Sequence, residues 1–146
     1  MINASFRHGC FFSSDLARSI KFYKLFGLRV VKKQRLQKSS YVDTLLGIKN
    51  MDITYVKFHF LKDENKAPLF ELHCWRKPKI TIPKVYSHLA FTVDNLIELY
   101  EQLHKKVRFV SPPLNAPDSP NMVCFCYDPD GNMIELVEDR EKYADA

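Results

Sequence analysis

Four cysteines occur, and none has the spacing of a CxxC pair or a zinc knuckle. Cys10, Cys74, Cys124 and Cys126 fall inside apolar, strand-like patterns, so they read as free, buried thiols of a reducing compartment rather than a disulfide framework. Long uncharged apolar runs are also missing. Asn3, Ser5 and Arg7 stand within the first seven residues and Asp15 follows soon after, which leaves neither a signal-peptide core nor a membrane span. The expectation is a cytoplasmic protein without a membrane partner. Nor does one sign of charge dominate. The formal net charge is +5, and the basic pairs Lys32-Lys33, Arg76-Lys77 and Lys105-Lys106 are scattered rather than gathered on one helix. Such pairs usually form solvated rims, which argues against a nucleic-acid partner and leaves only a mild field for drawing in a small anion.

What remains is a chain of 146 residues with 46% hydrophobic and 13% aromatic content, enough to pack one globular domain and too apolar for disorder. Its most informative feature is a repeat. His8 opens an apolar strand that leads, eight residues on, to Leu16 behind a polar Ser-Asp pair; His88 opens a second such strand leading to Leu96 behind Asp-Asn. Each copy closes on a strand with a glutamate between apolar neighbours, Glu71 within Leu69–Leu72 and Glu135 within Met133–Leu136. One small unit is thus present twice, as a first module of about 4–77 and a second of about 84–139 within a single domain.

Each half reads as β-α-β-β-β. In the first, residues 5–12 alternate as a strand, Ser14 or Asp15 caps a helix carrying Leu16, Ile20 and Tyr23 with Phe22 beside them, and Gly27 ends it. Leu28–Val31 begins a second strand, 40–46 forms a short helix stopped by Gly47, 53–61 is a third strand, and Leu69–Trp75 is a fourth after the turn at Lys62–Asn65. Lys77–Pro83, with two prolines, is the expected hinge. In the second half the strands are 88–93, 107–110, 123–127 and 133–137, the helix is 95–105, residues 112–120 form a proline-rich loop, and Asp128–Gly131 makes the last turn.

Strand alternation groups His8 with Cys10 and Phe12, Glu71 with His73 and Trp75, His88 with Ala90 and Thr92, and Glu135 with Met133 and Val137. These surroundings read as largely apolar, where an ionised carboxylate without a partner costs several kcal/mol, on the order of what protonation would relieve. Two equivalent imidazoles and two equivalent carboxylates suggest a cation as the missing partner. The simpler alternative makes the histidines satisfied core residues and places the glutamates at solvated strand ends; the recurrence in both halves favours the metal. His59 and His104 lack counterparts and read as surface residues, whereas His73, on the Glu71 face, is a candidate pocket residue.

The runs Ser14–Tyr23 with Phe26-Gly27-Leu28, His88–Leu96 and Asp128–Leu136 together resemble the vicinal oxygen chelate superfamily, which includes glyoxalase I, methylmalonyl-CoA epimerase, extradiol dioxygenases and the fosfomycin and bleomycin resistance proteins. The resemblance spans nearly the whole chain. It implies an α+β fold in which two tandem βαβββ modules form an open, U-shaped mixed sheet around a metal-binding cleft, with ligands at His8, Glu71, His88 and Glu135. That set is most similar to glyoxalase I; the epimerase pattern has a glutamine where Glu71 stands. One divalent ion per site is implied, and imidazole with carboxylate suits Zn, Ni, Co, Mn or Fe. A homodimer acting on a small-molecule substrate is implied as well.

The expected chemistry is a proton shift next to a carbonyl, with Glu135 as base and Glu71 as ligand and second catalytic carboxylate. Phe12, His73, Trp75 and Thr92, which share strand faces with the ligand candidates, are the substrate-binding candidates. Glyoxalase I characteristically carries an arginine four residues after the first metal position and an asparagine four after the first glutamate, both holding glutathione. Here Phe12 and Trp75 stand there, which favours a flatter, more apolar ligand unless both residues simply fill core. Two alternatives stay open: an extradiol-type iron dioxygenase using His8, His88 and Glu135, and a non-catalytic drug-binding module of the bleomycin-resistance kind.

Overall fold

The computed structural model describes residues 8–46, 48–62, 69–79, 88–115 and 120–140. The chain divides into two compact units, Met1–Lys84 and Val85–Ala146, each built on its own sheet, and the fold is α+β. In the first unit the elements are β1 (His8–Phe12), α1 (Leu16–Lys24), β2 (Leu28–Gln37), α2 (Ser40–Leu46), β3 (Asp52–Phe60) and β4 (Leu69–Lys77). The sheet runs β1-β4-β3-β2, with β1 parallel to β4 and the other pairs antiparallel. The second unit contains β5 (His88–Thr92), α3 (Leu96–Leu103), β6 (Arg108–Phe109), β7 (Leu114–Asn115), β8 (Met122–Tyr127) and β9 (Met133–Glu138). Its sheet runs β5-β9-β8-β6, β7 pairs with β8, and β5 is parallel to β9.

Helices α1 and α3 start in the same way. Asp15 accepts a hydrogen bond from the Arg18 amide and Asn95 accepts one from the Glu98 amide, both at 3.1 Å, so each cap satisfies one of the amides a helix N-terminus leaves open. Gly27, at φ +78°, makes the left-handed turn into β2, a conformation that strains any residue with a Cβ. Helices α1 and α3 each cover one face of their sheet. In the first unit Tyr23 packs against Phe58 and Phe70, with ring centroids 6.0 and 4.8 Å away, above buried Val56 and Leu72. The second unit buries Phe91, Leu96, Leu103, Cys124, Cys126, Ile134 and Leu136. No helix among the described residues is long and apolar enough to cross a membrane.

Three expectations change. Strand β2 continues well past Val31 to Gln37 because Lys32, Lys33, Gln34 and Arg35, almost all exposed, populate an edge strand, where charge blunts pairing with another chain. Helix α3 stops at Leu103, with His104 as its cap, and β6 is only two residues long. Gly47, most of the turn at 62–65 and the connector from residue 80 lie outside the described residues.

All four cysteines are free, but Cys10 is exposed and Cys74 half-buried, leaving only Cys124 and Cys126 buried. β1 is an edge strand, and the side of it that bears Cys10 is not the one the helix covers. Burial raises the Cys124 thiol from 9.0 to about 11; for Cys126 burial, followed by the charges of Cys124 and Asp128, raises it to about 12. The folded chain therefore holds these protons more tightly than the unfolded one. The associated stability is fully present below pH 9 and is lost as pH rises through about 12. At pH 8 iodoacetamide should label Cys124 and Cys126 at least about a hundredfold more slowly in native than in urea-unfolded protein, as mass spectrometry of quenched samples would show. Equal rates would contradict this packing.

Candidate functional site

The sheet faces opposite α1 and α3 carry the residues of interest. In the first unit, strand register pairs Cys10 with Glu71 and Phe12 with His73, then Glu71 with Lys57, His73 with Tyr55 and Trp75 with Ile53. His8 pairs with Leu69, two positions before Glu71. In the second unit His88 pairs with Met133, again two positions before Glu135. Parallel pairing thus gives both modules the same histidine-to-glutamate offset, set by the same strand order. The His8 side chain lies outside the described ones.

The two glutamates differ in their company. Glu71 is buried, at 6% exposure; its Oε1 lies 3.3 Å from Lys57 Nζ and its Oε2 3.1 Å from His73 Nε2. The expectation of apolar surroundings fails at Glu71, because β3 places a lysine directly across from it. Glu135 faces Phe125 at the corresponding place. Among the described residues its one polar contact is His88, whose Nε2 lies 3.1 Å from Oε2, and the His88 ring meets Phe125 edge-on at 5.2 Å.

The aromatic candidates are placed by packing. Phe12 and Trp75 meet edge to face at 5.1 Å. Trp75 also packs on the cluster of Val42, Met51 and Ile53, with Leu36 and Ile48. Helix α2 is fixed over this cluster by Asp43, which accepts hydrogen bonds from the amides of Asn50 and Met51 at 2.7 and 3.0 Å. Trp75 therefore packs as a core residue, and among the described residues its buried Nε1 has no partner. Thr92 is exposed opposite Val137. His59 is not a plain surface residue, since its Nδ1 is buried and, among the described residues, has no partner.

Two residues of this face are missing from the sequence reading: Lys57 and Tyr55. Tyr55, Lys57 and His59 form the polar phase of β3, opposite Thr54, Val56 and Phe58. That alternation is readable in the sequence, but the pairing of Lys57 with Glu71 depends on register.

The donors fit a divalent cation in the second unit. Adjacent ligands about 2.0–2.2 Å from one ion stand roughly 2.8–3.6 Å apart between octahedral and tetrahedral angles, a range that includes the 3.1 Å between His88 Nε2 and Glu135 Oε2. In the first unit Glu71 and His73 have the same spacing, although Lys57 already balances the carboxylate. No group of three or more such donors occurs among the described residues.

Comparison with known proteins identifies the family and the fold. The family profile described as Glyoxalase/Bleomycin resistance protein/Dioxygenase superfamily matches residues 5–136. A lactoylglutathione lyase of Shigella flexneri is 26% identical over 130 residues, 87% of each chain. A probable lactoylglutathione lyase of Vibrio cholerae is 24% identical, covering 99% of this chain and 97% of its own. Among solved structures, a glyoxalase family protein from Bacillus cereus superposes with a TM-score of 0.78 at 17% identity, covering 93% of this chain and 95% of that one. The trypanothione-dependent glyoxalase I of Leishmania major gives 0.69 at 24% identity, covering 96% and 90%. These structural likenesses concern the fold.

Proposed function

The chain belongs to the Glyoxalase/Bleomycin resistance protein/Dioxygenase superfamily, and from that premise we propose that it is a divalent-metal-dependent, glyoxalase-like lyase or isomerase. His8, Glu71, His88 and Glu135 are the proposed ligands. The observation that carries the proposal is the repeated offset of histidine and glutamate on paired strands, with the His88–Glu135 pair at ligand spacing. The resemblance to proteins named lactoylglutathione lyase supports the reaction class.

A bound divalent ion would stabilise the negative charge that develops on a substrate oxygen when the neighbouring C–H bond breaks. The chain's own residues would divide the remaining work. Glu71, held at both oxygens by Lys57 and His73, is poorly placed to move. Glu135 is freer: its side chain is 25% exposed and leans on His88 alone among the described residues. Glu135 therefore takes the proton from the hydroxyl-bearing carbon beside the carbonyl and returns it to the carbonyl carbon, while the hydroxyl proton passes to the former carbonyl oxygen, a 1,2-shift that needs no oxidant. His88 orients the carboxylate through Nε2. Phe12 and Trp75 present aromatic surface, while His73 and Thr92 supply polar edges. The proposal includes a homodimer, which light scattering would reveal as twice the chain mass.

The direct test supplies Zn, Ni, Co, Mn or Fe in turn and follows conversion of the methylglyoxal–glutathione hemithioacetal by absorbance. Metal-dependent turnover supports the proposal; no turnover with any of these metals counts against this substrate. One observation favours a second reading. Because Lys57 and His73 already occupy Glu71, His8, His88 and Glu135 would be left as a two-histidine, one-carboxylate set of the kind that holds iron in oxygenases. Oxygen uptake with catechols by iron-loaded protein, without hemithioacetal turnover, would select it.

A further inference from the structure

We propose that the face of the first sheet opposite α1 carries a subsite for an oxyanion, built from Lys32, Lys57 and Tyr55, and that the substrate is a small carboxylate or phosphate. The inference rests on the proposed function in one respect only: it takes the face that bears Glu71 as the face where substrate sits.

Register places Lys32 of β2 directly across from Lys57 of β3. Like charges at opposed positions repel and weaken strand pairing, so the arrangement carries a cost that an anion between the two would remove. Both ammonium groups lie near the same ring, 5.9 Å (Lys32) and 5.6 Å (Lys57) from the Tyr55 centroid. The ring is held by its own hydroxyl, which donates to Gln34 Oε1 at 2.8 Å. With the Gln34 oxygen occupied, its amide NH2 remains a third donor beside the ring. Lys32 makes no ion pair among the described residues, and Lys57 has Glu71 alone. Among the described residues two cations thus face a single carboxylate, leaving net positive charge on the strand pair. The floor is the paired stretch of β2 and β3, whose register shifts between Val30 and Lys32 and then runs without a break from Lys32 to Gln37.

The geometry also ties the subsite to the chemistry. Lys57 touches Glu71, and the Tyr55 ring stands 6.0 Å from the His73 ring, so an anionic group held here lies one side chain away from the candidate ligand Glu71. An ammonium is a compact point charge with three donors, and spending one on Glu71 leaves others for the ligand.

The test uses full-length 15N-labelled protein, as purified and again after chelation with EDTA, titrated with malonate, with methyl phosphate and with neutral acetamide. The expected result is saturable shifts of the Lys32, Gln34, Tyr55 and Lys57 amides for malonate, methyl phosphate or both, in both preparations, with no such response to acetamide. The tighter of the two anions identifies the substrate group. Lys32→Met/Lys57→Met should weaken binding at least about tenfold, and Lys32→Arg/Lys57→Arg, which keeps both charges and controls for folding, should retain it. Unchanged affinity in the methionine variant, or an equal response to acetamide, overturns the subsite. Because binding is read without turnover and without metal, those outcomes leave the proposed reaction standing. Loss of turnover with anion binding intact would instead strike the reaction and spare the subsite.

Discussion

Glu135→Gln is expected to lower turnover about 10²–10⁴-fold, the usual contribution of a positioned general base, while leaving the chain folded. The substitution keeps shape and an acceptor oxygen for His88 but removes the atom that takes the proton. Glu135 sits on β9, whose neighbours Ile134 and Leu136 are fully buried; the amide therefore stays where the carboxylate was, and a large loss of rate cannot be blamed on displacement. Because the interaction lost belongs to the transition state, kcat should carry the effect with KM little changed. Initial rates over a range of substrate, on protein of matched metal content, check this. Undiminished kcat would remove Glu135 as the base.

The largest structural effect is expected at Phe58. Phe58 is fully buried, stacks near Phe70 at 5.9 Å and meets Tyr23 at 6.0 Å, so it joins β3, β4 and α1 in one aromatic cluster. Phe58→Ala should cost about 3–5 kcal/mol through lost burial and the cavity left behind, a large share of the roughly 5–15 kcal/mol that domains possess. Urea unfolding followed by circular dichroism would show a lower midpoint. A loss below about 1 kcal/mol would mean that the cluster closes over the gap and that this packing is not what holds the unit together. The same strand bears Lys57 on its other face, so a severe variant should also loosen the Glu71 surroundings.

The order of elements was legible because the relevant signals are local. Asp15 and Asn95 cap their helices as their residue types suggest, Gly27 turns the chain at positive φ, and Asp128 accepts hydrogen bonds from the amides of Asp130 and Asn132 in the last turn. The strand faces of Glu71 and Glu135 were legible for the same reason, since alternation has a period of two. What escaped depends on register and tertiary packing. Nothing local to Lys57 announces that it lies across from Glu71, and nothing local to Trp75 announces that α2 and Asp43 bring a hydrophobic cluster against it. The end of β2 stays open in the sequence, because its charged residues obscure a strand pattern that only the edge position explains. Cys10 follows the same lesson: its apolar neighbours suggested burial, but β1 is an edge strand and the cysteine side of it is open.

Metal content tests the central claim most directly. Mass-spectrometric metal analysis should compare wild-type protein with the Glu71→Gln/Glu135→Gln double variant after identical metal loading and desalting. The account predicts about one divalent ion per chain in the wild type and a loss of at least about tenfold in the variant, since ligation requires the ionised carboxylates. Equal metal content in two equally folded proteins would contradict it.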